Sequence, residues 1–250
     1  MDTPIIELRQ VTKSFGPVDV LRGVDFRAHA GKVTALVGDN GAGKSTLIKG
    51  LAGVQPYDGG EILFNGEAVE LHHPREAAKY GIEVVYQDLA LCDNLDIVQN
   101  MFLGREESDG GTFNEGQMEV EAARALMSLS VKTVRSLRQK VSSLSGGQRQ
   151  TVAIARSVVK QAKVVILDEP TAALGVAQTE QVLSLVRRLA DSGVAVIIIS
   201  HNLQDVFEVA DDVWVLYLGS MTARVAVKET SPDEVVGYIT GTKRMEVSEV

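Results

Sequence analysis

Four short aliphatic runs punctuate the chain: "KVTALVG" (32–38), "IEVVYQ" (82–87), "KVVILDE" (163–169) and "VAVIIIS" (194–200). Each is brief, β-branched and bounded by turn residues, which predicts strands rather than helices. Their near-continuous apolarity predicts burial on both faces, as in a parallel sheet covered by helices. Stretches 5–11, 20–27, 61–69 and 213–227 alternate more and contain tight turns such as Asn65-Gly66. They predict an antiparallel sheet beside the parallel core. Val182, Leu185, Val186 and Leu189 recur at helical spacing, with Gly193 as a stop. "HPREAAKYG" (73–81) has proline near its start and glycine at its end, the asymmetry of a short helix. Between Gln87 and Lys163 the strand signal fades. There 117–130 and 147–161 read as helical and "REESDGGTFNEG" (105–116) as a polar loop, which predicts a helical insertion able to move against the core. The last ten residues, "GTKRMEVSEV", read as a frayed tail.

Composition narrows the functional classes. The 250 residues are 45% hydrophobic and 23% charged, ordinary for a globular domain. A net charge of −8 without a basic block argues against a nucleic-acid partner. Cys92 is the sole cysteine, so an internal disulfide or cysteine cluster is excluded, in keeping with a reducing compartment. The start, "MDTPIIELRQ", lacks the basic and apolar regions of a secretory signal, and the longest apolar run is far short of a membrane span.

Function concentrates where the predicted strands end, the place where open α/β sheets bind ligands. "GDNGAGKS", Gly38 to Ser45, matches the phosphate-loop pattern in full and lies between a predicted strand and a helix. Glycines 38, 41 and 43 let backbone N–H groups turn toward phosphate oxygens, and the helix start adds its positive end. Lys44 is expected to reach the β- and γ-phosphates and Ser45 to ligate Mg2+. "VVILDE" ends a strand in two acids: Asp168 for Mg2+, and Glu169 to accept a proton from an attacking water. Gln87 and His201 follow strands of the same sheet. Gln87 is expected to contact Mg2+ or the water, His201 to donate to the phosphate. His29, His72 and His73 lack such placement and read as surface residues. Phe15 reads either as a packing residue or as a stacking platform for adenine.

A second glycine stretch, "SSLSGGQRQ" (142–150), also looks like a phosphate cradle, although nothing else calls for two nucleotides per chain. With "GDNGAGKS", Gln87, "LSGGQ", "VVILDE", "AALG" and His201 in this order, the chain resembles the ATP-binding cassette family over nearly its whole length. The resemblance implies an α/β P-loop NTPase with a RecA-like parallel core, an antiparallel β subdomain and an inserted helical subdomain. It implies a core of residues 1–87 and 162–228, a helical signature subdomain of 88–161, and a C-terminal helix and tail of 229–250. It also implies that two copies face head to tail, each covering the other's ATP with its signature, so the second cradle serves the neighbour. Ser145, Gly146, Gly147 and Gln148 then meet the partner's nucleotide, while Asn40, Ala42 and Thr46 join the phosphate loop and Phe15 stacks on adenine. One departure stands out: where most members carry an aspartate after "TAAL", this chain has Gly175.

The stretch "YQDLALCDNLDIVQNMFLGRE" (86–106), with "EPTAALG" (169–175), is similar to the ATPases of monosaccharide importers. That similarity implies a Mg2+-dependent ATPase on the cytoplasmic face of the membrane, working as a homodimer with integral permease subunits and a separate solute-binding protein. Leu89, Leu91 and Leu95 are read as permease-contacting or core residues. Other readings are the ATPase of a different importer or exporter, a soluble cassette protein acting on ribosomes or DNA, and a nucleotide-binding module that does not turn over. Tandem cassettes or long insertions would favour the second, and loss of Glu169 the third; neither is found.

Overall fold

The computed structural model describes residues 3–109, 111–131 and 133–245. Strands β1 (Ile6–Phe15) and β2 (Val18–Ala28) form a hairpin, and β3 (Val33–Val37) leads through the glycine loop into α1 (Lys44–Leu51). A second hairpin, β4 (Gly59–Phe64) and β5 (Glu67–Val69), turns at Asn65-Gly66; α2 (Pro74–Lys79) and β6 (Ile82–Val85) follow. Next come α3 (Ile97–Phe102), the short strands β7 (Ser108–Asp109) and β8 (Thr112–Phe113), α4 (Glu115–Ser128) and α5 (Gly146–Val159). The chain then returns to the sheet with β9 (Val164–Asp168), α6 (Val176–Asp191), β10 (Ala195–Ile199) and α7 (Leu203–Val209). The hairpin β11 (Asp212–Tyr217) and β12 (Ser220–Ala226) precedes α8 (Pro232–Ile239).

The four predicted apolar runs become β3, β6, β9 and β10, which lie in one six-stranded sheet of order β12-β11-β3-β10-β9-β6. All its strands run parallel except β12 at the edge. Strands β2-β1-β4-β5 make a separate antiparallel sheet. The period of two sorts the core residues cleanly. Val196 and Ile198 of β10 face the helices α3 to α6, whereas Ala195, Ile197 and Ile199 face α1 and the antiparallel sheet. Both faces are therefore sealed from water, each buried aliphatic side chain contributing about 1.5–3 kcal/mol.

The stretch 213–227 departs from expectation. It does not join the antiparallel sheet: β11 pairs in parallel with β3, Val213 opposite Ala35 and Val215 opposite Val37. Val213, Trp214, Val215 and Leu216 are all buried in succession, so this is a strand covered on both sides, while the edge strand β12 exposes Arg224 between buried Ala223 and Val225. The polar loop 105–116 also holds more order than expected, enclosing β7, β8 and the start of α4. Short α3 leaves no readable period in its six residues, although Asp96 and Gln99 close a reciprocal cap at its start. The tail is anchored as far as Met245, whose N–H donates to the Thr222 carbonyl at 3.1 Å; residues 246–250 lie outside the described residues.

Candidate nucleotide site

The loop between β3 and α1 closes on itself. Gly38, Gly41 and Gly43 have φ of +156°, +80° and +108°, conformations that side chains oppose. A Cβ at Gly38 would lie 2.2 Å from the Leu216 carbonyl oxygen, and one at Gly43 3.0 Å from that of Val20. The loop is thus wedged between β11 and the β1–β2 hairpin. Lys44 Nζ folds back and donates to the carbonyls of Gly38 at 2.7 Å and Asp39 at 2.9 Å. Burial holds this ammonium below the usual lysine range, against the opposing pull of Glu169, Asp39 and Asp168. Ser45, Asn40 and Gly41 are exposed, Thr46 is half-buried and Ala42 buried.

Asp168 and Glu169 end β9 beside β10, whose own end carries His201. Burial, reinforced by the Glu169 charge, pushes the Asp168 carboxyl above the usual range, with Lys44 and Lys49 pulling it back. Glu169 takes the left-handed conformation, φ +49°, and its N–H donates to the Ile199 carbonyl at 2.9 Å. Its Oε1 stands 2.8 Å from His201 Nδ1. The histidine side chain is 72% exposed against 16% for Glu169, so the imidazole is the outer member of the pair. Lys44, Asp168, Glu169 and His201 therefore gather at one end of three neighbouring strands.

Gln87 lies exposed just past β6. The loop after it is fixed at three points. Leu89 and Ala90 adopt φ of +59° and +45°. Arg156 of α5 donates to the Ala90 carbonyl at 3.2 Å and the Leu89 carbonyl at 3.5 Å. The fully buried Asn100 accepts from the Cys92 N–H and donates to the carbonyls of Cys92 and Asp96. Leu89 and Leu91 are half-buried against the core, and Leu95 is half-buried as well.

The second glycine stretch is built differently. Ser145 caps α5: its Oγ accepts from the Gln148 N–H at 3.3 Å, and its own N–H donates to Gln148 Oε1 at 2.9 Å. Gln148 also donates to the Thr133 carbonyl at 2.7 Å. Gly146 and Gly147 face the segment after β9, where added Cβ atoms would meet Leu174 at 3.3 Å and Gln178 at 3.2 Å. Ser145 and Gly146 are exposed, while Gly147 is buried. This cradle opens outward, some way along the chain from Lys44 and on another element.

These are two glycine loops in fixed order, with an acid pair and a histidine at the ends of adjacent parallel strands. The profile of the ABC transporter family matches residues 21–172. The chain belongs to this family. The cassette is 44% identical to the xylose/arabinose import ATP-binding protein XylG of Sulfolobus acidocaldarius over 94% of both chains. It is 41% identical to the fructose import ATP-binding protein FrcA of Rhizobium meliloti, covering 96% of this chain and 95% of that one. Among solved structures, an ATP-binding cassette in its ADP conformation superimposes with a TM-score of 0.80 at 26% identity, over 95% of each chain.

Phe15 of the cassette is 42% exposed at the hairpin end of β1, with Lys13 Nζ 5.7 Å from its ring centre, so the buried packing role is not what the structure shows. His72 and His73 are exposed as expected, and His29 is half-buried. Four neighbours of the site give no sign in the sequence. Tyr86 is pushed above the usual tyrosine range by burial and by the charges of Asp168 and Asp88. Thr171, Asn202 and Asp205 form a chain of hydrogen bonds beneath Glu169 and His201, with Thr171 and Asp205 buried. Only that placement distinguishes them, and burial of single polar residues leaves no periodic trace.

Proposed function

We propose that the chain is the Mg2+-dependent ATPase of a monosaccharide importer, working as two copies that enclose two ATP at the cytoplasmic face of a membrane permease. A separate solute-binding protein completes the system. The observation that carries the reading is the shared strand-end cluster of Lys44, Asp168, Glu169 and His201, in a chain matched almost end to end by sugar-import ATP-binding proteins. No helix among the described residues is long and apolar enough to cross a membrane, so on this reading the force is delivered by docking.

The cradle fits a polyphosphate. Its glycines exclude side chains, and its lysine already satisfies itself on two loop carbonyls that phosphate oxygens can replace. Phe15 supplies a face for the base, and backbone N–H groups between Asn40 and Thr46 hold the phosphates. Ser45, Gln87 and Asp168 offer the hard, sparse oxygen set that suits Mg2+, an ion that keeps waters and shares phosphate oxygens. When bound, the cation would neutralise charge on the β- and γ-oxygens. Glu169 Oε1 is occupied by His201, which leaves Oε2 to accept the proton of an attacking water. Ser145, Gly146, Gly147 and Gln148 serve the γ-phosphate held by the other copy. Residues 88–161 act as the moving arm between them, with 1–87 and 162–228 as the core and 229–250 as the C-terminal extension.

The reading is tested in liposomes carrying the cognate permease. ATP-driven uptake of labelled xylose, ribose or fructose is expected, with Glu169→Gln lowering turnover on the order of a hundredfold while ATP binding persists. ATP hydrolysis with no pentose or hexose uptake would overturn the sugar assignment; full turnover in Glu169→Gln would move the base elsewhere.

A further inference from the structure

Asp205 lies in the first turn of α7 and is only 4% exposed. A buried carboxylate is costly unless its oxygens are satisfied, and both are. Oδ2 accepts from Thr171 Oγ1 at 2.5 Å, and Oδ1 accepts from Asn202 Nδ2 at 2.9 Å. These two donors belong to different loops. Thr171 follows Glu169 by two positions after β9, and Asn202 is the neighbour of His201 after β10. Both are tightened further: the Ala172 N–H donates to the Glu169 carbonyl at 3.1 Å, and the Asn202 N–H donates to the Oγ of fully buried Ser200 at 3.0 Å.

Beyond the backbone bond from Glu169 to Ile199, the loops are joined twice through side chains. On the solvent side, Glu169 meets His201 at 2.8 Å; beneath them, Asp205 joins Thr171 to Asn202. The Glu169 backbone is tied to β10 through its N–H bond to the Ile199 carbonyl, but the side chains of the upper contact have no other hydrogen-bond partner among the described residues. The imidazole is 72% exposed, and Glu169 keeps a left-handed backbone that its residue type does not favour. We infer that Asp205 is a positioning residue for the hydrolytic pair, clamping the loop of Glu169 to the loop of His201 and so fixing where the carboxylate presents its free oxygen. This rests on the reading of Glu169 as proton acceptor.

Thr171→Val keeps the side-chain shape and removes the donor; Thr171→Ser restores it, and Asp205→Ala removes the clamp itself. Thermal melts identify the folded variants. In Thr171→Val, kcat for phosphate release is expected to fall about ten- to a hundredfold, as for other small misplacements of a reacting group, with ATP Kd within about twofold of wild type. Thr171→Ser recovers most of the rate. In the Glu169→Gln background, Thr171→Val should cost nothing more, because the group it positions is already gone. In the nucleotide-free protein, the His201 ring cross-peak, identified with His201→Ala, should move and broaden in Thr171→Val but not in Thr171→Ser. An unmoved ring signal with wild-type kcat in both Thr171→Val and Asp205→Ala would overturn the inference. So would equal fractional losses in the wild-type and Glu169→Gln backgrounds. Wild-type turnover in Glu169→Gln alone would instead remove the base assignment, and the ring signal would still test the clamp.

Discussion

The two glycine loops look alike in sequence and differ in what their glycines do. From Gly38 to Gly43 the glycines are required by backbone: three of them sit at positive φ, and the loop is pressed against strand carbonyls. At Gly146 and Gly147 φ is not positive, and the reason for glycine is room, since Leu174 and Gln178 stand where a side chain would go. The first loop brings its own cation, Lys44, and lies beside both acids. The second is built from a serine cap and helix N–H groups. On the proposed function, the first is a whole site and the second is half of one. The lesson is that a glycine motif gains its meaning from whether the backbone or the neighbouring surface forbids a Cβ.

Alanine scanning should break this comparison most visibly. Gly38→Ala forces a Cβ against the Leu216 carbonyl and is expected to cost about 3 kcal/mol or more, read as a large drop in melting temperature. Gly146→Ala meets only the end of a flexible leucine, so its melting should stay within about 1 kcal/mol of wild type. Equal losses at the two positions would erase the distinction. A middle-sized effect is expected from Ser145→Arg combined with Glu169→Gln: ATP binding to the monomer is unchanged, and the ATP-dependent dimer seen by light scattering is lost. A normal dimer would mean that the outward cradle does not face a second copy.

A smaller effect tests the electrostatics of the inward site. Because the folded state raises the Asp168 carboxyl, the native chain holds its proton to higher pH than the unfolded chain does. Stability from this group is therefore greatest in acid and falls as pH rises from the unfolded carboxylate range through the folded value. Asp168→Asn should melt at a higher temperature than wild type at pH 7 without nucleotide, the gain vanishing below about pH 4. A gain independent of pH would assign it to packing. The smallest change is Gly175→Asp. Its φ of −76° is ordinary, a Cβ there would meet no atom within 4 Å, and it caps α6, so a few tenths of a kcal/mol of added stability is expected from melting.

Much of this is legible in the sequence alone. Runs such as Val194–Ser200 announce buried strands, and the spacing from Gly38 to Ser45 announces the cradle, because each depends on neighbours in the chain. Strand β11 hides its place in the parallel sheet because Asp212 and Tyr217 flank a short apolar run whose two faces are covered by segments far away in sequence. Asp205 is silent for the same reason: an acid in a helix's first turn looks solvated until Thr171, 34 residues earlier, is placed above it. Phe15 reverses the other way, its exposure being set by where the β1–β2 hairpin ends.

Position 175 also bears on descent. A glycine codon ending in a pyrimidine becomes an aspartate codon by one base change, and the fold raises no steric barrier to the product. Sequencing survivors after random mutagenesis under sugar limitation would show whether selection acts on glycine at this position.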